Sequence, residues 1–237
     1  MRKKSLASVL LITGLSLSSS NAVAIASTNF DGRTATGNTA SVLNWTLDGV
    51  SDPGTMSSTV FGGGAVNLFD NTADNQDSFV PALNTGNGNS SWTTIINLTA
   101  LAGSLVTVED ITFDYLSMNG GGAINVARKS DFAVTLFSPA NVPLATASID
   151  DVVSGTNVVP IIAPVSLTLS NPVALTDPGT YTLVFRGGDF SGDNETGNHT
   201  GIDNLAINGT VGLVPEPSTA LLSVMAVLGF VFFRRRK

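Results

Sequence analysis

Ile111, Phe113 and Tyr115 stand on alternate positions of the chain, as do Phe132, Val134 and Leu136, and again Tyr181, Leu183 and Phe185. A period of two puts each triplet on one face of an extended strand, whereas a helix would scatter it around the axis. Short apolar runs of this kind mark strands at Ser41 to Leu47, Trp92 to Leu98, Asp110 to Met118, Asp131 to Phe137, Val165 to Leu169, Thr180 to Arg186 and Ile202 to Ile207. The stretches between them are rich in Gly, Asn, Asp and Ser. Asp177-Pro178-Gly179 ahead of Tyr181 is a turn in which proline presets φ and glycine takes the positive φ that follows. Nothing between residues 27 and 213 sustains apolar spacing of three and four, so this region contains almost no helix. Many short strands in one unit of near 190 residues imply an all-β fold, a single antiparallel β-sandwich.

The two ends follow different rules. Met1-Arg2-Lys3-Lys4 is basic, Leu6 to Leu17 is apolar, and small residues recur at Ala22-Val23-Ala24 and Ala24-Ile25-Ala26. That three-part order is a secretory signal peptide over residues 1–26, with cleavage expected after Ala26 and Ala24 as the alternative. At the other end, Val214-Pro215-Glu216-Pro217-Ser218 precedes an uncharged run over 219–233, and the chain stops on Arg234-Arg235-Arg236-Lys237. As a helix that run rises only about 22 Å against a hydrocarbon core of about 30 Å, so it spans by local thinning or by snorkelling of the flanking arginines. The basic cluster stays cytoplasmic by the positive-inside rule and acts as the membrane stop. Pro215 and Pro217 cannot continue the helix, and they hold an extended segment that a protease can read just outside the membrane.

A Pro-Glu-Pro motif, a short apolar helix and an Arg-rich end, in that order, resemble the PEP-CTERM sorting signal. The resemblance covers residues 214–237 and implies processing by an exosortase, a membrane transpeptidase-like cysteine protease of bacteria that make exopolysaccharide and biofilm. It implies a chain exported, held transiently at the inner membrane, and passed to the outer envelope, the cell surface or the extracellular matrix. A plain tail anchor is the alternative, although it needs no paired prolines.

Charge narrows the partners. Of 11 basic residues three open the chain and four close it, leaving Arg33, Arg128, Lys129 and Arg186, while of 18 acidic residues only Glu216 lies in the ends. The formal charge of residues 27–214 is therefore about −13, which repels phosphate backbones and argues against nucleic acid. With no cysteine, the exported domain is held by its core alone and thiol catalysis is excluded.

A second resemblance lies in the domain itself. Gly179 to Arg186, a polar loop, and then Gly201-Ile202-Asp203-Asn204-Leu205-Ala206-Ile207 are similar to the closing strands of galactose-binding-like jelly rolls and carbohydrate-binding modules, which often open on a Phe-acidic pair such as Phe30-Asp31. In those folds the two acids share a structural calcium, so the resemblance implies a jelly-roll-like sandwich with Asp31 and Asp203 as calcium ligands; no other cofactor is indicated. The alternative is that Asp203 caps a strand end while Asp31 is solvated. The loop Asp189 to Glu195 spaces oxygen side chains at every second residue but lacks the distal bidentate glutamate of calcium loops. Trp92, opening a strand after a Gly- and Asn-rich loop, is the candidate aromatic platform for glycan binding. His199 is the single histidine, and it stands in a polar loop without Gly-x-Ser-x-Gly anywhere between the ends. Three functions remain: a non-enzymatic structural or adhesive protein of the envelope or exopolysaccharide matrix, a glycan-binding module, and an extracellular hydrolase. The first asks for no special site.

Overall fold

The computed structural model of the chain describes residues 22–30, 34–36, 39–41, 45–60, 70–71, 76–77, 91–118, 128–154, 163–188 and 199–213. The leader to residue 21, Asp31, the loop 189–195 and the tail from 214 lie outside them. In chain order the strands are β1 (Val23–Thr28), β2 (Thr34–Thr36), β3 (Thr39–Ser41), β4 (Thr46–Leu47), β5 (Thr55–Val60), β6 (Asp70–Asn71) and β7 (Gln76–Asp77). They continue as β8 (Trp92–Leu98), β9 (Ser104–Met118), β10 (Arg128–Phe137), β11 (Pro143–Ser154), β12 (Ala163–Ala174), β13 (Tyr181–Gly188) and β14 (His199–Leu213). One sheet runs β12-β9-β14-β1-β4 and the other β11-β10-β13-β8-β5-β3-β2, with β6-β7 a separate ribbon. Among the described residues every pairing is antiparallel. The chain is thus an antiparallel sandwich, as the alternation implies, and no helix of the described residues is long and apolar enough to cross a membrane. The expected span at 219–233 is outside those residues.

Inward positions of the two large sheets build one core. Phe113 of β9 meets Phe132 of β10 at 4.8 Å and Phe185 of β13 at 5.1 Å between ring centroids, both edge-on. Tyr115 reaches across to Phe132 at 5.2 Å. Edge-to-face pairs of this kind add about 0.5–1.5 kcal/mol each to the area they bury. The outward positions of the same strands, such as Thr112, Asp114, Val184 and Arg186, are partly exposed.

Strand boundaries depart from the sequence reading in ways that sheet switching explains. The expected strand from Ser41 to Leu47 is two elements: β3 ends at Ser41 in the seven-stranded sheet, and β4 lies beside β1 in the five-stranded one. Among the described residues six strands escape the alternation pattern, the short β2, β6 and β7 together with β1, β5 and β11. β5 (TMSSTV) carries few apolar residues, β11 is an edge strand with Ala145 as its one fully inward apolar residue, and β1 lies at the expected leader boundary. His199, placed in a loop by its glycine-rich surroundings, opens β14 opposite Met118.

Bulges keep the faces in phase. Between Asn208 and Gly209 the register with β9 shifts, and a Cβ on Gly209 would fall on the Thr107 carbonyl oxygen. The backbones approach closely there, and only glycine permits it. Gly209→Ala should therefore destabilise the exported domain by about 3 kcal/mol, read as a melting temperature lower by roughly 10 °C. An unchanged melt would mean that β9 and β14 can part at this bulge without cost.

Candidate functional site

At one end of the sandwich a buried polar chain links the sheets. Trp92 Nε1 on β8 donates to the Thr200 carbonyl on β14 at 2.9 Å, and the Thr200 hydroxyl lies 2.7 Å from Ser130 Oγ on β10. Ser130 Oγ in turn donates to Tyr115 Oη on β9 at 3.0 Å. Trp92 is 1% exposed, its ring 5.4 Å from that of Phe185, and a Cβ on Gly187 would come within 2.6 Å of it. The expectation that Trp92 is a glycan platform is corrected by this: both ring and N–H are consumed inside the core, because the strand-opening position faces inward. Tyr115 and Tyr181 are core residues, as their alternating faces imply.

Among the described residues two aspartates are nearly fully buried, Asp131 and Asp203, each 2% exposed. Each stands at a bulge and braces a non-glycine residue of positive φ. Asp131 Oδ1 accepts the N–H of Asp151 (φ 57°) at 3.1 Å, and Asp203 Oδ1 accepts the N–H of Asn204 (φ 47°) at 2.7 Å. Hydrogen bonds of this type offset the strain of a left-handed backbone, about 1–3 kcal/mol. Asp203 therefore has the backbone-capping contact that the sequence offers as the alternative to calcium. Asp31, its expected partner, lies outside the described residues, among which no group of three or more His, Asp or Glu could hold a metal.

The outer face of β12, β9 and β14 presents a shallow groove of about 260 Å³ lined by Thr112, Phe113, Asp114, Pro164, Val165, Ser166 and Asn204. Phe113 and Val165 form its floor by pointing inward, while the others face solvent at the next pleat positions. Asn204 Nδ2 donates to Asp114 Oδ2 at 2.9 Å, and along the same face Asn208 Nδ2 donates to Asp110 Oδ1 at 2.7 Å and to Thr112 Oγ1 at 3.1 Å. The described cations Arg128, Lys129 and Arg186 are all on the other sheet, with Lys129 Nζ 3.3 Å from Asp151 Oδ2. Among the described residues the groove thus offers hydroxyl, amide and carboxylate groups and no cationic side chain. Sequence reasoning passed over it because it sought aromatics; the signal was the polar half of each alternating strand.

Residues 213–237 match the family of the PEP-CTERM protein-sorting motif. The chain is accordingly an exported protein with a C-terminal membrane-anchoring sorting signal. No curated protein matches it. Among solved structures, TmCBM61 in complex with β-1,4-galactotriose is 8% identical with a TM-score of 0.38, over 67% of this chain and 88% of that one. The arabinose-bound MgGH51 α-L-arabinofuranosidase is 12% identical with a TM-score of 0.38, over 78% of this chain and 27% of that one. A structure of carbohydrate-binding modules from the β-sandwich superfamily, described as promiscuous in specificity, is 13% identical with a TM-score of 0.33, over 68% of this chain and 57% of that one. None of these likenesses is close enough to transfer a ligand or an activity.

Ser130, 1% exposed, is the hinge of the polar chain. Ser130→Ala removes a partner from both Tyr115 and Thr200 and should cost about 1–3 kcal/mol. Urea unfolding should show this as a lower midpoint at unchanged slope. A midpoint equal to that of the wild type would show that the Ser130 hydroxyl adds nothing to the joining of the sheets.

Proposed function

We propose that the mature chain is a non-enzymatic structural or adhesive protein of the cell envelope or exopolysaccharide matrix, released from the inner membrane when an exosortase removes its tail. The sorting motif at 213–237 carries this reading. Its physical logic is a division of labour. The apolar run and the Arg234 to Lys237 cluster hold the chain in the membrane, and Pro215 and Pro217 keep the segment outside it extended and open to a protease. A single histidine and no cysteine support the non-enzymatic side of the reading.

Fractionation and mass spectrometry of the native host test it: the wild-type chain should be found beyond the inner membrane without residues 219–237. Pro215→Ala with Pro217→Ala should leave the domain membrane-bound with its tail intact. Release of the double variant at the wild-type rate would reduce the tail to a simple anchor, and intact precursor in the cytoplasm would overturn export itself.

A second reading, glycan binding, is favoured by the groove. Its paired Asp114 and Asn204, with Thr112 and Ser166, suit the hydroxyls of a neutral or amino sugar, and a described lining without a cationic side chain disfavours acidic ones. On a glycan array the exported protein should bind neutral or amino-sugar glycans, and Asp114→Ala should weaken that binding about ten-fold or more. No saturable binding would leave the structural role alone. Binding that survives Asp114→Ala would move the site elsewhere.

A further inference from the structure

At the run of alanines that closes the leader, three bonds suit cleavage as far as residue size is concerned. Signal peptidases ask for small side chains one and three residues before the bond. Ser20 and Ala22 satisfy this for a cut after Ala22, Ala22 and Ala24 for a cut after Ala24, and Ala24 and Ala26 for a cut after Ala26. The sequence is degenerate, and the fold breaks the tie.

Strand β1 starts at Val23 and pairs with the last strand: Val23 faces Gly209, Ala24 faces Asn208, Ala26 faces Ile207, and Ser27 and Thr28 face Ala206 and Leu205. Ile25 is the extra residue of the bulge between Ala24 and Ala26. Ile25 and Ala26 are both 0% exposed, and the Ile25 carbonyl accepts the N–H of Asp48 at 2.9 Å. Ala22, Val23 and Ala24, by contrast, are exposed. A cut after Ala26 would delete Ile25 from the core, strip β14 of its partner at Asn208 and Gly209, and leave the Asp48 N–H without its acceptor. A cut after Ala24 would keep Ile25 but strip β14 of its partners at Gly209 and Asn208, and it would put the new ammonium on a residue that is 0% exposed in the uncut chain, where a charge is costly. A cut after Ala22 places that ammonium on Val23, which is 43% exposed, and keeps every pair of β1.

We infer that the leader is removed by hydrolysis of the Ala22–Val23 bond, so that the mature chain opens on the first residue of β1. One water is consumed: its oxygen joins the Ala22 carbonyl carbon as the C–N bond breaks, and at neutral pH the products are a carboxylate on Ala22 and an ammonium on Val23. This places the processing site four residues upstream of the bond expected from the sequence, and it is independent of what the domain does after export.

The test uses the full-length precursor, secreted by a Gram-negative host and read by N-terminal sequencing and intact mass. The wild type should begin at Val23; a chain beginning at Ile25 or Ser27 would overturn the inference. Two exposed alanines separate the candidates without touching the core. Ala24→Gln obstructs the cuts after Ala24 and Ala26 and spares that after Ala22, so the variant should still be processed to Val23 in wild-type yield. Accumulation of unprocessed Ala24→Gln precursor would overturn the inference. Ala22→Gln obstructs the inferred cut, and at least a ten-fold loss of correctly processed product is expected. Processing of Ala22→Gln to Ser27 at the wild-type rate would overturn it.

Discussion

Phe113 stands between Phe132 and Phe185, and through that wedge the two sheets meet. With no disulfide available, an exported domain of this size depends on such interdigitation for its stability. The wedge works only if three strands from two sheets keep their inward residues in phase, because a slip of one residue turns every side chain to the other face. Phase is therefore the constraint behind the rest of the fold. It explains why the bulges are built so tightly: an added Cβ has no room at Gly209, and buried carboxylates hold Asp151 and Asn204 in left-handed conformations.

The legible part of the fold was its inward half. Ile111, Phe113 and Tyr115 declare a face by themselves, and so do Tyr181, Leu183 and Phe185; all six are buried. Legibility stops where a bulge resets the phase. Ile202 and Leu205 lie three apart yet both are fully buried, as are Val108 and Ile111, so a strict period of two breaks where the ladder between β9 and β14 shifts register. Edge strands are harder still. β11 stands at the end of its sheet, buries Ala145 and leaves Leu144, Ile149 and Val153 exposed, and the bulge opposite Asp131 breaks its alternation.

The candidate sites divide along the same line. The tail was legible because membrane insertion and proline geometry are local rules that need no tertiary partner. Trp92 was misread because local rules do not say which way the first residue of a strand faces; Thr200, more than a hundred residues away, accepts its N–H. The groove residues were invisible for the opposite reason. Thr112, Asp114, Ser166 and Asn204 come from three strands and look like ordinary solvent-facing positions until pairing sets them side by side.

Charge then connects the domain to its route. While the tail is in place, the four cations at its end oppose the domain's excess of acids across the membrane, and the chain without its leader carries 8 basic against 18 acidic residues, about −10. Loss of the tail removes those cations together with the apolar anchor, leaving a domain near −13 beside an anionic lipid surface that repels it. On the proposed reading, tail removal is then more than a release of the anchor: it changes the sign of the residual interaction with the membrane. What holds the freed protein in a matrix has to be attraction that tolerates a negative surface, through hydroxyls or through cations supplied from outside. On the proposed reading, the outer face of the five-stranded sheet, with Asp110, Asp114, Asn204 and Asn208 and no basic side chain among its described residues, is the surface that would offer it.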